Sequence, residues 1–200
     1  MKRRAFTLVE LLVVIVIVGI LLAILYPSFH KAILKAKVSR VLADIYAIKS
    51  AALVYYADTG RFPPDDDPYR NIGLIYHGID FLENRAGVTG WNGPYLDKWP
   101  KNPFCVRVPT TYESGYQWEG IWVPPGCPDV TTHGFDFGNG NEPCIEIGIL
   151  DLNLEDRMRV HLMIDKAIDD GNHTAGNYRV RVEPGNEWYW GYYRVSINPR

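Results

Sequence analysis

The chain has 200 residues, of which 47% are hydrophobic and 22% charged, so it can bury a core and is neither disordered throughout nor collagen-like. Its net charge of -2 and its pI near 6.2 argue against a protein that binds nucleic acid by bulk electrostatics, which needs a basic face. Three basic residues, Lys2, Arg3 and Arg4, precede a long apolar run, and the rest of the chain carries 18 basic against 23 acidic residues. We therefore expect no nucleic-acid partner.

The segment from Phe6 to Leu25 is almost entirely apolar. Twenty helical residues span roughly 30 Å, which is the thickness of a bilayer core. The basic residues before it predict a cytoplasmic N-terminus and an exported C-terminal domain. No small-residue cleavage site follows the run, so it is not a typical cleaved signal peptide. Glu10 is anomalous, because an ionised carboxylate inside a membrane costs at least ~2.5 kcal/mol unless it is paired or near an interface.

The sequence from Arg4 to Val14, RAFTLVELLVV, resembles the processing and assembly motif of type IV pilins and of the pseudopilins of type II secretion. The resemblance implies that prepilin peptidase removes a leader of residues 1–5 by cutting between Ala5 and Phe6, and that the new Phe6 amine is methylated. Glu10 is then fifth in the mature chain. Ala5 stands where the family usually has Gly.

The same resemblance gives Glu10 a role in assembly with Phe6. The cationic amine of Phe6 on one subunit would pair with Glu10 of a neighbour, which satisfies a charge in an apolar surround. Gly19 and Pro27 fall at positions where the family has a helix-weakening Gly and a Pro, and they bracket a stretch whose backbone bonds can loosen on filament packing.

Residues 27–59 continue the helix as an amphipathic segment after the membrane-spanning residues 6–26. Apolar residues at three- and four-residue spacing form one face, which should pack on a sheet: Val38, Val41, Ile45, Ile48, Ala52 and Tyr55. The stretch from Asp58 to Gly60, followed by two prolines, predicts the end of the helix. One helix from Phe6 to about Ala57 would be ~78 Å long.

A second motif narrows the resemblance. The stretch Gly90 to Leu96, GWNGPYL, followed by PKNP at Pro100 to Pro103, resembles the corresponding stretch of the major pseudopilin of type II secretion. Asn102 replaces the usual Asp, and Phe104-Cys105 stands where that family tends to have Trp-Gly.

Residues 60–200 are expected to form an exported globular α+β domain. Segments rich in aromatic and β-branched residues predict antiparallel strands at Tyr116–Val123, Cys144–Leu150, Tyr178–Glu183 and Glu187–Ile197, with a turn at residues 184–186. A second helix is predicted from Asn153, as N-cap, to Asp170, with Gly171 just past its end. The predicted fold is thus a long N-terminal helix packed on an antiparallel sheet, with a second short helix.

Three cysteines, Cys105, Cys127 and Cys144, lack the C-x-x-C spacing of zinc or redox sites. In an exported domain they predict one disulfide and one free thiol, with all three pairings open.

Oxygen-bearing side chains surround the predicted end of the second helix: Asp165, Asp169, Asp170 and Asn172. Hard oxygen ligands in a short span suit Ca²⁺, and major pseudopilins carry a calcium site in this part of the domain. The alternative is an ordinary helix stop. Two further features have plain structural interpretations: Asp65–Asp67 as a solvated loop tip, and the aromatic run of residues 188–193 as strand residues, with ligand binding as its alternative.

No hydrolase, metalloprotease, Walker A or dinucleotide-binding motif occurs, and nothing nominates an enzyme. We predict a structural filament subunit, a pseudopilin of the type II secretion pseudopilus. The expected partners are other pilin-like subunits, prepilin peptidase, the inner membrane, and the assembly platform with its secretion ATPase. The alternatives are a type IV pilus subunit, acting in adhesion, motility or DNA uptake, and a membrane-anchored enzyme or receptor domain.

Overall fold

The computed structural model describes residues 7–65, 78–106, 115–121, 135–138, 140–182 and 189–196. The chain divides into two units, residues 1–37 and residues 38–200. The elements, in chain order, are helix α1 (Leu8–Thr59), a 3₁₀ helix (Ile79–Phe81), strands β1 (Tyr116–Glu119), β2 (Phe135–Asp136), β3 (Asn141–Glu142) and β4 (Cys144–Gly148), helix α2 (Leu154–Ile168), and strands β5 (Tyr178–Val182) and β6 (Tyr189–Arg194).

Helix α1 runs without interruption for 52 residues. The predicted apolar face is confirmed, since all of its residues are buried: Val38, Val41, Ile45, Ile48, Ala52 and Tyr55. The helix ends where the sequence predicts. Gly60 adopts a left-handed φ of 75°, and its N–H donates to the carbonyl of Tyr56 at 2.8 Å. Helices commonly end at a residue in this left-handed conformation, which glycine adopts most easily.

The four-stranded sheet has the order β1-β4-β6-β5, and every neighbouring pair is antiparallel. Side chains alternate between its faces. On one face, Ile145 and Ile147 of β4 are fully buried, as are Tyr116 and Trp118 of β1. These residues supply the sheet's part of the core.

Polar side chains tie the sheet to α1. The Tyr116 hydroxyl donates to Asp44 Oδ2 at 3.2 Å, and Asp44 also accepts from Arg40 Nε at 3.0 Å. Lys49 Nζ donates to the Tyr193 hydroxyl at 3.0 Å. Asp44 is buried, so its two donors, Arg40 and Tyr116, satisfy a carboxylate that would otherwise destabilise the domain.

Helix α2 confirms the predicted second helix. Asn153 Oδ1 accepts the Asp156 N–H at 2.9 Å, and Gly171 follows the helix with a φ of 80°. The buried face of α2 includes His161, whose Nδ1 lies 2.6 Å from the hydroxyl of Tyr178 in β5.

The strands are shorter than the sequence predicts. β4 ends at Gly148 rather than Leu150, because the Leu150 N–H leaves the ladder and donates to the carbonyl of Phe104 at 3.1 Å. β1 ends at Glu119, since the backbone of residues 64 and 65 crosses directly over Gly120, where a Cβ would lie 2.6 Å from the Pro64 carbonyl carbon. Residues 122–123, 183–188 and 197 lie outside the described residues, and with them the predicted turn at residues 184–186.

Two features differ from expectation. The two-stranded sheet β2-β3, which the sequence does not predict, brings Phe135 into a stack on Tyr192, with ring centroids 4.5 Å apart. Asp65 is fully buried, so its interpretation as part of a solvated loop tip is wrong: the chain at Pro64-Asp65 packs against Gly120. Asp66 and Asp67 lie outside the described residues.

Candidate functional site

The first part of α1 is an exposed apolar surface, which none of the described residues covers. Every Leu, Ile and Val from Leu8 to Leu25 is at least 47% exposed. One helix among the described residues is long and apolar enough to cross a membrane, and it is α1. An apolar surface of this size needs lipid or other apolar helices around it.

Thr7 and Glu10 form a reciprocal pair at the start of α1. The Thr7 N–H and hydroxyl both donate to Glu10 Oε2, at 2.9 and 2.7 Å, and the Glu10 N–H donates to Thr7 Oγ1 at 3.3 Å. This is a capping box, in which a Thr and a Glu three residues later satisfy each other's backbone donors. The T-x-x-E spacing was readable in the sequence, yet the sequence reasoning gave Glu10 only an intermolecular role and missed Thr7.

The structure describes two of the other four predicted N-terminal site residues. Ala5 and Phe6, the predicted cleavage and methylation site, lie outside the described residues. Gly19 and Pro27 both lie inside the continuous helix. A Cβ on Gly19 would meet no atom of the described residues within 4 Å, so no contact with them requires glycine there. Their role in helix loosening stays a prediction.

The GWNGPYL motif fastens a loop to the end of α1. The Tyr95 hydroxyl donates to Asp58 Oδ2 at 3.0 Å, and the Tyr95 ring packs on Tyr55 with centroids 5.2 Å apart. Trp91 Nε1 donates to the carbonyl of Asp80 at 3.0 Å. Gly90, with a φ of 89°, approaches the helix end so closely that a Cβ would lie 3.4 Å from the Asp58 carbonyl carbon and closer still to its oxygen. The motif is therefore structural.

Asn102 joins three chain segments. Its Nδ2 donates to the carbonyls of Gly115 and Gly148, at 3.1 and 2.9 Å, and its Oδ1 accepts the Phe104 N–H at 2.9 Å. The side chain is fully buried. An aspartate could not donate to both carbonyls, so the amide found in this sequence fits its surroundings.

Two cysteines are buried free thiols rather than a disulfide pair. The Cys105 thiol donates to the carbonyl of Gly148 at 3.2 Å. Burial raises the pKa of Cys105 to about 11 and that of Cys144 well above its usual value. The predicted disulfide is thus not formed between Cys105 and Cys144, and Cys127 lies outside the described residues.

Three of the four predicted calcium ligands come together at the end of α2. Asp165, Asp169 and Asp170 each place a carboxylate oxygen within 4.8 Å of the others. Asp169 Oδ2 accepts the N–H groups of Asn177 and Tyr178. The Oδ1 of the fourth residue, Asn172, accepts from the N–H and the hydroxyl of Thr174, at 3.3 and 2.8 Å.

The donor set fits a hard cation. Asp165 Oδ2 is buried and has no hydrogen-bond partner among the residues that the structure describes. Burial, with further contributions from the charges of Asp170 and Asp169, raises the pKa of Asp165. These acids also lie at the C-terminal end of a helix, where the dipole disfavours negative charge. A cation bound by carboxylate oxygens would remove all three costs, and Ca²⁺ is a cation that prefers such ligands.

Comparison with known proteins identifies the family. Residues 1–26 match the family model described as prokaryotic N-terminal methylation motif, and residues 32–109 match the one described as PilW, C-terminal. The type II secretion system core protein G of Klebsiella pneumoniae is 37% identical over 117 residues, which cover 58% of this chain and 74% of the relative. The chain belongs to the family of this core protein, the pseudopilins.

For other pseudopilin and pilin relatives, the match to this chain covers a smaller share of the relative's length. The core protein G of Klebsiella michiganensis is 43% identical over 108 residues, which cover 54% of this chain and 66% of the relative. The type IV major pilin protein PilE of Neisseria gonorrhoeae is 39% identical over 64 residues, which cover 32% of this chain and 38% of that pilin. No solved structure matches the chain.

Proposed function

We propose that this pseudopilin is a structural subunit of a periplasmic pseudopilus that serves type II protein secretion. The observation that carries the proposal is the exposed apolar half of α1, headed by the Thr7–Glu10 pair and continuous with the helix that forms the core of the domain. Before assembly, residues 6–26 lie in the inner membrane with the leader in the cytoplasm and residues 60–200 in the periplasm. On assembly, the same apolar surface packs against the helices of other subunits.

Processing by prepilin peptidase would supply the charge that Glu10 needs. Cleavage after Ala5 leaves a cationic amine on Phe6, one residue before Thr7. The Thr7 donors use Glu10 Oε2, and Oε1 has no hydrogen-bond partner among the described residues. In the filament, Oε1 would accept the Phe6 amine of a neighbouring subunit. Thr7 would thus hold the carboxylate in place while the neighbour neutralises it.

The first experiment is the intact mass and N-terminal sequence of the chain from cells that express a prepilin peptidase. A chain that begins with N-methylated Phe6 supports the proposal. A chain that retains residues 1–5 in the presence of active peptidase would contradict it and would reopen the search for an enzymatic or receptor role.

The assembly role of Glu10 needs a matched pair of variants. Glu10→Ala should stay in the membrane but fail to appear in sheared filaments or to support secretion of an exoprotein. Thr7→Ala keeps the carboxylate and the backbone N–H that donates to it and removes only the hydroxyl donor, so it should assemble at a reduced level. Normal assembly of Glu10→Ala would refute the pairing.

A type IV pilus subunit remains the second candidate, because the type IV major pilin protein PilE matches 32% of the chain. The two roles differ in the machine that takes up the subunit. Complementation separates them: restored exoprotein secretion in a strain without its major pseudopilin supports the first role, and restored surface pili in a strain without its pilin supports the second.

We also propose that the domain binds Ca²⁺ through Asp165, Asp169 and Asp170. The ion would stabilise the segment after α2, where the buried Asp165 oxygen has no hydrogen-bond partner within the described part of the chain. The thermal unfolding temperature of the full chain in detergent should be higher in millimolar CaCl₂ than in EDTA. The free energy of unfolding should rise by about 2.7 kcal/mol when the calcium concentration is 100 times the dissociation constant.

The control for calcium lies on the same helix. Asp165→Asn should abolish the calcium shift, whereas Glu155→Gln, an exposed acid at the opposite end of α2, should retain it. Equal stability of the wild-type chain in CaCl₂ and EDTA would contradict the proposed calcium site.

A further inference from the structure

A short motif for covalent modification lies in the loop after α2. Asn172, His173 and Thr174 form the sequence Asn-x-Thr, in which the middle residue is not proline. This is the acceptor motif for N-linked glycans, which are found on surface loops of exported proteins. None of the other asparagines in the sequence is followed two residues later by Ser or Thr. The chain therefore has a single candidate acceptor for such a glycan.

The loop after α2 presents this motif to solvent. A motif of three residues also occurs by chance, so its surroundings must fit the modification. Asp169 closes the base of the loop, because its Oδ2 accepts the N–H groups of Asn177 and Tyr178. Asn172 and Thr174 are both exposed within the loop. An enzyme can thus reach the acceptor side chain while the domain stays folded.

The side-chain amide of Asn172 keeps its nitrogen available. Oδ1 accepts from the N–H and the hydroxyl of Thr174, at 3.3 and 2.8 Å. The Thr174 N–H can only donate, so the amide atom that it contacts is the oxygen and not the nitrogen. The hydrogen bonds of Asn172 within the described part of the chain use its oxygens and its backbone N–H, and none uses Nδ2. Nδ2 is the atom that a glycan would join.

The Thr174 hydroxyl lies beside the acceptor amide. Its 2.8 Å bond to Oδ1 of Asn172 holds the two side chains of the motif together, so one enzyme site can contact both of them. Serine has the same hydroxyl donor and alanine has none. This difference predicts which substitutions at position 174 the modification tolerates.

The acceptor is separate from the proposed calcium ligands. Those ligands are the carboxylates of Asp165, Asp169 and Asp170, whereas the Asn172 side-chain oxygen is used by Thr174. Asp170 Oδ1 also accepts the Asn172 N–H at 2.7 Å, which fixes the backbone of the acceptor beside the cluster. A glycan on Nδ2 therefore leaves all three carboxylates available to an ion.

We propose that Asn172 accepts an N-linked oligosaccharide on the exported side of the membrane. The donor class is an oligosaccharide joined to a lipid through a diphosphate, and the enzyme class is an oligosaccharyltransferase. Nδ2 forms a bond to C1 of the first sugar, the bond between C1 and the diphosphate oxygen breaks, and its electron pair leaves with the lipid diphosphate. The Nδ2 proton passes to a basic group of the enzyme, and nothing is oxidised or reduced. This inference rests on the export of the domain, which is part of the proposed function.

The test uses the full chain from cells that express an oligosaccharyltransferase and its lipid-linked oligosaccharide. Trypsin, which cuts after Lys and Arg, should release residues 167–179 as one peptide. Mass spectrometry should find this peptide heavier by a whole number of sugar residues, and fragmentation should place them on Asn172. Asn177, in the same peptide, lacks a Ser or Thr two residues later and is the internal control, which should carry none. An unmodified peptide from cells whose enzyme glycosylates a known acceptor protein would overturn the proposal.

Three variants test the motif itself. Asn172→Gln keeps an amide but moves it by one methylene, and Thr174→Ala removes the hydroxyl, so each should abolish the glycan. Thr174→Ser keeps the hydroxyl and should retain the glycan. Urea unfolding of all three chains shows whether a loss of the glycan accompanies a loss of folding. An undiminished glycan on a folded Thr174→Ala chain would contradict recognition of the motif.

The outcomes separate this inference from the proposed function. Alkaline phosphatase fused after residue 200 is active only on the exported side of the membrane. An inactive fusion would mean that the domain is not exported, and both proposals would fall. An active fusion with an unmodified Asn172 would overturn this inference alone. Normal filament assembly by a glycosylated Glu10→Ala chain would remove the assembly role and leave the acceptor site standing.

Discussion

Acidification should destabilise the domain through one histidine. His161 is fully buried, and its ring bonds define one tautomer. The Tyr189 carbonyl can only accept a hydrogen bond, so Nε2 carries the ring hydrogen and donates it to this carbonyl, with 3.3 Å between nitrogen and oxygen. Nδ1 accepts a hydrogen bond from the Tyr178 hydroxyl, whose oxygen lies 2.6 Å away. A proton added to Nδ1 would therefore face the hydroxyl hydrogen of Tyr178.

The size of the effect follows from the pKa. Burial, with a smaller contribution from the charge of Arg157, lowers the pKa of His161 from 6.5 to about 4. Since the unfolded chain binds the proton more tightly, stability is fully present above pH 6.5 and is lost as the pH falls toward 4. At about 1.4 kcal/mol for each tenfold change in proton affinity, the full loss is about 3 kcal/mol, of which about 2 kcal/mol falls between pH 7 and pH 5.

Urea unfolding of the full chain in detergent, followed by tryptophan fluorescence from pH 7 to pH 5, measures this loss. Most carboxylates stay ionised in that window, so the slope reports mainly on histidine. His161→Gln should be less stable at pH 7 but should show a flatter pH dependence, whereas His30→Gln, at an exposed position, should keep the wild-type slope. A titration midpoint for His161 above 6 in NMR spectra would refute the reasoning.

Three substitutions test the packing of the domain in the same unfolding assay. A Cβ on Gly191 would overlap the Tyr178 hydroxyl, so Gly191→Ala should cost about 3 kcal/mol, and combining it with Tyr178→Phe should cost less than the sum of the two. Tyr116→Phe removes a donor to the buried Asp44 and should cost about 1 to 2 kcal/mol; no loss would mean that the bond contributes nothing. Asn102→Leu removes three buried hydrogen bonds, which at about 1 kcal/mol each should cost about 3 kcal/mol, and an unchanged urea midpoint would contradict the joining role of this amide.

The sequence predicts the helices well because their signals are local. The apolar face of α1 repeats over five turns, and α2 is bounded by an N-cap at Asn153 and a glycine at 171, so neighbouring residues decide both elements. The second motif is equally local. Tyr95 and Trp91 lie four residues apart, and the sequence identifies the family from them even though it does not reveal that they fasten the loop to Asp58 and Asp80.

The sheet and the buried acids depend on contacts between distant residues. β2 and β3 have two residues each, which is too short to produce an alternating pattern. The end of β4 depends on Phe104, more than forty residues earlier, while apolar residues continue past it in the sequence. Asp65 follows two prolines and looks solvated, but its burial depends on Gly120. No window of sequence around these residues contains that information.

A long helix with two environments affects how loss-of-function variants can be interpreted. From Leu8 to Leu25 every Leu, Ile and Val side chain is exposed, so we expect a substitution that abolishes secretion there to leave the domain folded and to report on membrane or filament contacts. From Val38 to Tyr55 the same helix carries fully buried residues, and a genetic screen will return variants that are simply unfolded. Protein abundance must therefore be measured for hits in the second stretch before any of them is assigned to an interface.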